Sequence, residues 1–115
     1  MFPCRELINV YSIGNIHVRW TSMRLVGRRL LEEFASHHAD LRSPLSAWVF
    51  EVEEAQWAGP SDVKARYPNA SFLTENTVIF NLKGNKYRVE TKIHYELKVV
   101  LATRIGTHSE YSKWK

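Results

Sequence analysis

The sequence predicts an α+β fold, helices first and then an antiparallel meander of three strands or more, and three observations predict it. Before residue 68 the apolar residues recur at helical spacing: Leu45, Trp48, Val49, Val52 and Ala55 stand at i, i+3, i+4, i+7 and i+10. After residue 77 the period falls to two, with Tyr87, Val89, Thr91, Ile93 and Tyr95 alternating with Arg88, Glu90, Lys92 and His94. Between these regimes, two β-favouring runs flank Gly84-Asn85, a tight-hairpin signal because both turn positions must tolerate positive φ.

The bulk composition narrows the class. A chain of 115 residues, 44% hydrophobic and 24% charged, makes one domain with a single modest core. No apolar run approaches the roughly 20 residues that cross a bilayer, so no membrane partner is expected. Cys4 is the only cysteine, which excludes a disulfide framework and a thiolate metal cluster and fits a reducing, cytoplasmic location. No phosphate loop, zinc signature or nucleophile elbow is present, and neither cofactor nor metal is expected. The net charge of +4 is uneven: residues 83–115 carry eight Lys/Arg against three acids, whereas residues 23–82 carry six against eight. A basic C-terminal third points to a nucleic-acid partner. On charge alone, the lysines around the hairpin read as ordinary solubilising features.

In chain order, residues 1–22 show neither helical nor strand period and are expected to be an extension outside the domain, of the kind an upstream-start artefact adds ahead of Met23. The domain is expected to span 23–115. Arg24-Leu25-Val26 reads as a brief strand with Gly27 as the joint. Leu30, Leu31 and Phe34 give the next helix its apolar face, and the adjacent His37 and His38 read as solvated, not as a metal pair. Ser43 is the expected N-cap of a second helix with Pro44 in its first turn. Glu51, Glu53 and Glu54 flank its apolar stripe and read as a solvated acidic edge, since nothing nearby would separate their pKa values for catalysis. Gly59-Pro60 breaks the chain, Ser61 is expected to cap a third short helix, and Pro68 ends it. Ala70 to Leu73 reads as a short strand, and Glu75-Asn76 as the turn into the hairpin. After Tyr95, Glu96-Leu97 makes a tight connection. Val99, Leu101, Thr103 and Ile105 then share one face of the last strand, before Gly106 to Tyr111 closes the domain as a turn and short helix.

The chemistry-bearing groups collect in the last third. Metal-free RNA cleavage needs a base for the 2′-hydroxyl proton, cations for the phosphorane-like transition state and an acid for the leaving 5′-oxygen. Lys83, Lys86, Arg88, Lys92 and Arg104 supply cations on or beside one sheet. His108 and Tyr111, three apart, share a face of one helical turn and can handle protons. Each has a plainer explanation: His108 as a sheet cap, Tyr111 as a core lid, Arg88 as a partner of Glu90 or Glu110, and His94 as merely exposed.

Two segments, Ile79 to Arg88 and Gly106-Thr107-His108-Ser109-Glu110-Tyr111, closely resemble the HigB toxins of bacterial type II toxin–antitoxin systems. Trp57 to Pro68 and Leu30 to Phe34 fit the same family, so the likeness runs from Met23 almost to the C-terminus. The resemblance implies a RelE-like fold, with N-terminal helices packed on a small antiparallel sheet. It also implies an mRNA interferase, an endoribonuclease acting on messages in the translating ribosome and held inactive by a HigA-type helix-turn-helix antitoxin. Lys83, Asn85, Arg88, His108 and Tyr111 sit on the family's motifs. Arg88, His108 and Tyr111 are the expected catalytic residues; Lys83, Lys86, Lys92 and Arg104 are expected to bind RNA. One departure stands out: Ser112 replaces the Asp that commonly follows the Glu-Tyr pair. The alternatives are a toxin of RelE or ParE fold, or an RNA-binding module, that blocks its target without cutting RNA.

Overall fold

After one short strand, the helices precede the rest of the sheet in the structure, a computed structural model that describes residues 22–114. Residues 1–21, which hold nearly all of the expected extension, lie outside the described residues. The order is β1 (Arg24–Val26), α1 (Arg28–Ala35), a 3-10 turn (Ala39–Leu41), α2 (Arg42–Glu54), α3 (Pro60–Arg66), β2 (Ser71–Phe72), β3 (Thr77–Leu82), β4 (Tyr87–His94), β5 (Val99–Thr107) and α4 (His108–Ser112). The five strands lie in the order β1-β5-β4-β3-β2. Strands β2 to β5 form the expected antiparallel meander. β1 adds in parallel at the edge of β5, Arg24 facing Val99, which makes the sheet mixed. Three residues carry no local record of strand direction. Contacts across the fold set it, through Arg24 N–H to the Lys98 carbonyl at 2.7 Å and Met23 N–H to the Ala55 carbonyl at 3.0 Å.

Helices α1 to α3 cover one face of the sheet. Leu31, Leu45, Trp48, Val52 and Val63 bury against Phe80, Val89, Ile93 and Val100. Phe80 lies within 5.1–6.2 Å of the Tyr67, Trp48 and Trp57 rings, and this aromatic cluster forms the centre of the core. Gly27 turns the chain from β1 into α1 at φ +99°, and a Cβ there would lie 2.7 Å from the Ala102 carbonyl oxygen. Gly27→Ala is therefore expected to cost about 1–3 kcal/mol, read as a fall in the urea midpoint without loss of the native circular dichroism.

Several local expectations are revised. α2 begins at Arg42, directly out of the 3-10 turn, so its N-cap is Leu41 and not Ser43. α3 begins at Pro60 with Gly59 as N-cap, and Asp62 accepts the Ala58 N–H at 2.8 Å, so Ser61 is not the cap. Leu30 is left exposed while Leu31 and Ala35 take the buried positions. His38 is half-buried, stacked on Phe34 with ring centroids 4.0 Å apart and edge-on to Tyr87. The hairpin turn is also longer than expected. Leu82 pairs with Tyr87, and the positive-φ residues are Lys83 and Gly84, one position earlier than Gly84-Asn85.

The most consequential revision is a β-bulge. Glu90 pairs with Arg104 but Thr91 pairs with Ala102, so the β4–β5 register skips Thr103 and the alternation of β5 reverses there. Below the bulge Val100 and Ala102 face the core; above it Ile105 does, and Arg104 and Gly106 turn to the opposite face beside Glu90 and Arg88. An uninterrupted strand would have aimed Arg104 into the core.

Candidate RNA-cleaving site

The sheet face away from the three large helices carries Arg88, Glu90 and Lys92 of β4 with Arg104 and Gly106 of β5. α4 lies on this face. It has only five residues, too few to persist alone, and its ends explain why it forms. Thr107 accepts the Glu110 N–H while Glu110 accepts the Thr107 N–H, a complete capping box worth about 1 kcal/mol. The His108 N–H donates to the Lys86 carbonyl at 2.9 Å, tying the helix start to the hairpin. Ser112 Oγ donates to the His108 carbonyl at 3.2 Å, so the serine that replaces the family's common Asp serves the last turn of α4.

This arrangement brings Arg88, His108 and Tyr111 together. Arg88 is 8% exposed. One guanidinium nitrogen donates to the Asn85 carbonyl at 2.7 Å, and the other lies 3.0 Å from His108 Nδ1. Guanidinium has no acceptor lone pair, so Nδ1 must accept and Nε2 carries the ring proton. The Arg88 Cζ stands 5.2 Å from the centre of the Tyr111 ring. Arg88 is not the partner of Glu90 or Glu110, because Glu90 binds Arg104 and Glu110 closes the capping box. A buried cation, an exposed imidazole and a half-exposed phenol thus converge on one spot.

The other cations are distributed differently. Lys83 and Lys86 reach towards the helical side, where Asp40 of the 3-10 turn lies 3.9 and 2.5 Å away and also accepts the Tyr87 hydroxyl at 2.6 Å. The Lys86 and Tyr87 hydrogen bonds hold the Asp40 carboxyl down at about 2, and the same carboxylate raises Lys86 and Tyr87. Two ammonium groups against one carboxylate leave the loop positive. Lys92 sits near Glu75 at 3.5 Å, a loose surface pair. Arg104 is gripped by Glu90 through two contacts of 3.1 Å, which lower the Glu90 carboxyl and raise Arg104. His94 is exposed at the far end of β4. Glu51 accepts Arg66 and the Tyr67 hydroxyl, and Glu53 accepts Arg28 at 3.2 Å, so these two acids tie helices and chain segments together and are not a free solvated edge. Burial, then the Glu51 hydrogen bond, push the Tyr67 hydroxyl up. Among the described residues, no group of three or more His, Cys, Asp or Glu could hold a metal ion, and no helix is long and apolar enough to cross a membrane.

Two participants were not singled out from the sequence. Asp40 has no local signal, since its partners are more than 40 residues away. Trp114 had one: an aromatic residue between Lys113 and Lys115. The Asp40 contact predicts a pH dependence. A carboxyl lowered from 3.8 to about 2 on folding contributes stability above the unfolded value and loses it as pH falls through the folded one. Asp40→Asn should therefore melt below the wild type at neutral pH, with the gap closing as pH falls from about 4 to about 2. A gap independent of pH would contradict the assignment.

Comparison with known proteins agrees with the resemblance. A family model described as HigB_toxin, the RelE-like toxic component of a toxin–antitoxin system, matches residues 41–114. Among curated proteins, the mRNA interferase toxin HigB of Escherichia coli (strain K12) is 26% identical over 92 residues, covering 77% of this chain and 88% of the relative. The mRNA interferase HigB of Escherichia coli O157:H7 and that of Shigella flexneri match with the same identity and coverage.

Proposed function

We propose, for a chain that belongs to the HigB family of RelE-like toxins of toxin–antitoxin systems, that it is an mRNA interferase that cuts messages by metal-free transesterification. The observation that carries this reading is the convergence of Arg88, His108 and Tyr111 on the face opposite the helical layer. The similarity to relatives named mRNA interferase supports it.

In the proposed reaction the 2′-oxygen attacks phosphorus, the bond to the 5′-oxygen breaks, and a 2′,3′-cyclic phosphate and a 5′-hydroxyl result. Arg88, already oriented by the Asn85 carbonyl, donates to the non-bridging oxygens as negative charge accumulates there. Drawing the guanidinium onto the phosphate frees His108 Nδ1 to take up a proton. The imidazolium, protonated from solvent, then gives its proton to the leaving 5′-oxygen, while the Tyr111 oxygen takes the 2′-hydroxyl proton as its own phenolic proton passes to a non-bridging phosphate oxygen and from there to solvent, so both side chains end as they began. Lys83, Lys86, Lys92 and Arg104 hold the RNA strand on either side. The exposed lysines can exchange Asp40 for phosphate at little net cost, because surface ion pairs contribute about 0–1 kcal/mol.

The wider reading follows the family: action in the cytoplasm on messages held by the translating ribosome, and neutralisation by a HigA-type helix-turn-helix antitoxin. We take residues 23–115 as the toxin domain, and deletion of 1–22 is expected to leave folding and activity intact. Induced expression followed by primer extension on host messages tests the chemistry. New 5′ ends inside translated codons are expected. Growth arrest with intact messages would overturn cleavage and favour a toxin that blocks its target.

A further inference from the structure

Four side chains on the α4 face alternate as cation, ring, ring, cation. Arg88 stands over Tyr111, Tyr111 meets Trp114 edge to face at 5.4 Å, and the Arg104 Cζ lies 4.4 Å from the centre of the Trp114 ring. The first two belong to the reaction centre; the last two have no part in its chemistry. We propose that Trp114 and Arg104 form a stacking shelf for one nucleobase of the bound RNA, adjacent to the phosphate at Arg88. The proposal rests on the RNA-cleaving assignment and adds a base-binding subsite to it.

The shelf is built. The Trp114 ring packs down on the strand at Gly106, where a Cβ would come within 3.0 Å of ring carbon Cζ2, so a residue without a side chain is what seats it. The Arg104 guanidinium is held flat by its two contacts with Glu90, although its side chain is 47% exposed. An arginine whose charge is already matched by a carboxylate gains less from a phosphate than an unpaired one, but its plane remains available for stacking. Beside this pair lies an open recess of about 430 Å³, floored by Ile105 and Phe34 and edged by Lys113 and Glu110. β1 reaches only as far as Leu101 of β5, so among the described residues no strand covers the edge of the sheet there. An aromatic face, a planar cation, an apolar floor and an ammonium at the rim suit the base and backbone of a single strand. A stack of this kind tolerates any base in principle, with size and stacking strength setting preference.

Binding of a short single-stranded 2′-O-methyl RNA of mixed sequence, which has no free 2′-hydroxyl to attack, tests the shelf with the full chain. In a Trp20→Phe background, where Trp114 is accompanied only by Trp48 and Trp57 of the buried core, tryptophan emission should fall as the oligonucleotide binds. Trp114→Phe should lose the quenching and keep affinity within about threefold, whereas Trp114→Leu should bind roughly 5- to 100-fold more weakly. An abasic residue moved along the strand should weaken wild-type binding at one position and leave Trp114→Leu binding unchanged there. That comparison within the wild type needs no variant to fold. Equal affinity of Trp114→Leu and wild type, or no position sensitive to base removal in the wild type, would overturn the shelf and leave the cleavage assignment standing. Failure of the wild type to bind the RNA at all would likewise overturn the shelf, while the cleavage assignment stands or falls on primer extension.

Discussion

Arg88→Ala abolishes growth arrest on induction and lowers message cleavage by about 10²–10³-fold, the usual consequence of losing one preorganised donor to a developing oxyanion. The expectation rests on where the guanidinium is held. At 8% exposure, with one edge anchored on the Asn85 carbonyl, it needs only to shift its other edge from His108 to the phosphate as charge builds there. Arg88→Lys should be nearly as inactive, because an ammonium keeps the charge but cannot reach loop, ring and phosphate together from one planar fork. Both variants should still bind the antitoxin, which separates loss of chemistry from loss of fold. Full toxicity in Arg88→Ala would show that the site lies elsewhere.

His108→Ala is the second large effect, with cleavage about 10²–10⁴-fold slower. The substitution leaves the backbone N–H of residue 108 on the Lys86 carbonyl and the capping box of Thr107 and Glu110 untouched, so α4 should persist. The assignment of acid to His108 has a sharper check. A substrate with sulfur in place of the leaving 5′-oxygen needs no proton on departure and should restore most of the rate to His108→Ala. It should do little for Tyr111→Phe, which keeps the ring beneath Arg88 and loses only the hydroxyl. Rescue of the tyrosine variant instead would exchange the two roles.

Much of the architecture was legible because it is written in short-range periodicity. The stripe from Leu45 to Val52 and the alternation from Tyr87 to Ile93 each repeat a pattern that only one secondary structure buries well. Leu45, Trp48, Val52, Tyr87, Val89, Thr91 and Ile93 are buried as the pattern named, and Arg88 is buried as well, on the opposite face where α4 lies. The boundaries were less legible. The 3-10 turn at Ala39–Leu41 feeds α2 without a side-chain cap, so Ser43 drew attention to a position that the helix had already passed. The hairpin lengthened to four loop residues because Arg88 and Asp40 hold it from both sides, through the Asn85 carbonyl and through Lys83 and Lys86. Neither tether has a sequence signature.

The site divides in the same way. His108 and Tyr111 could be paired from their spacing, and Arg88 could be placed on the polar face of its strand from alternation. By itself, then, the sequence determined the element types, the core face of α2 and β4, the basic C-terminal third and the chemical groups available, all properties of residues within about one turn or one strand of each other. Only the tertiary structure decided which of those groups meet. The bulge at Thr103 turns Arg104 out to Glu90 and Trp114, the parallel β1 stops at Leu101 and, among the described residues, leaves the recess open, and Asp40 pairs with Lys83 and Lys86 from the helical side. Register, strand direction and long-range ion pairing arise from contacts between distant segments, and a bulge of one residue reverses every side chain beyond it.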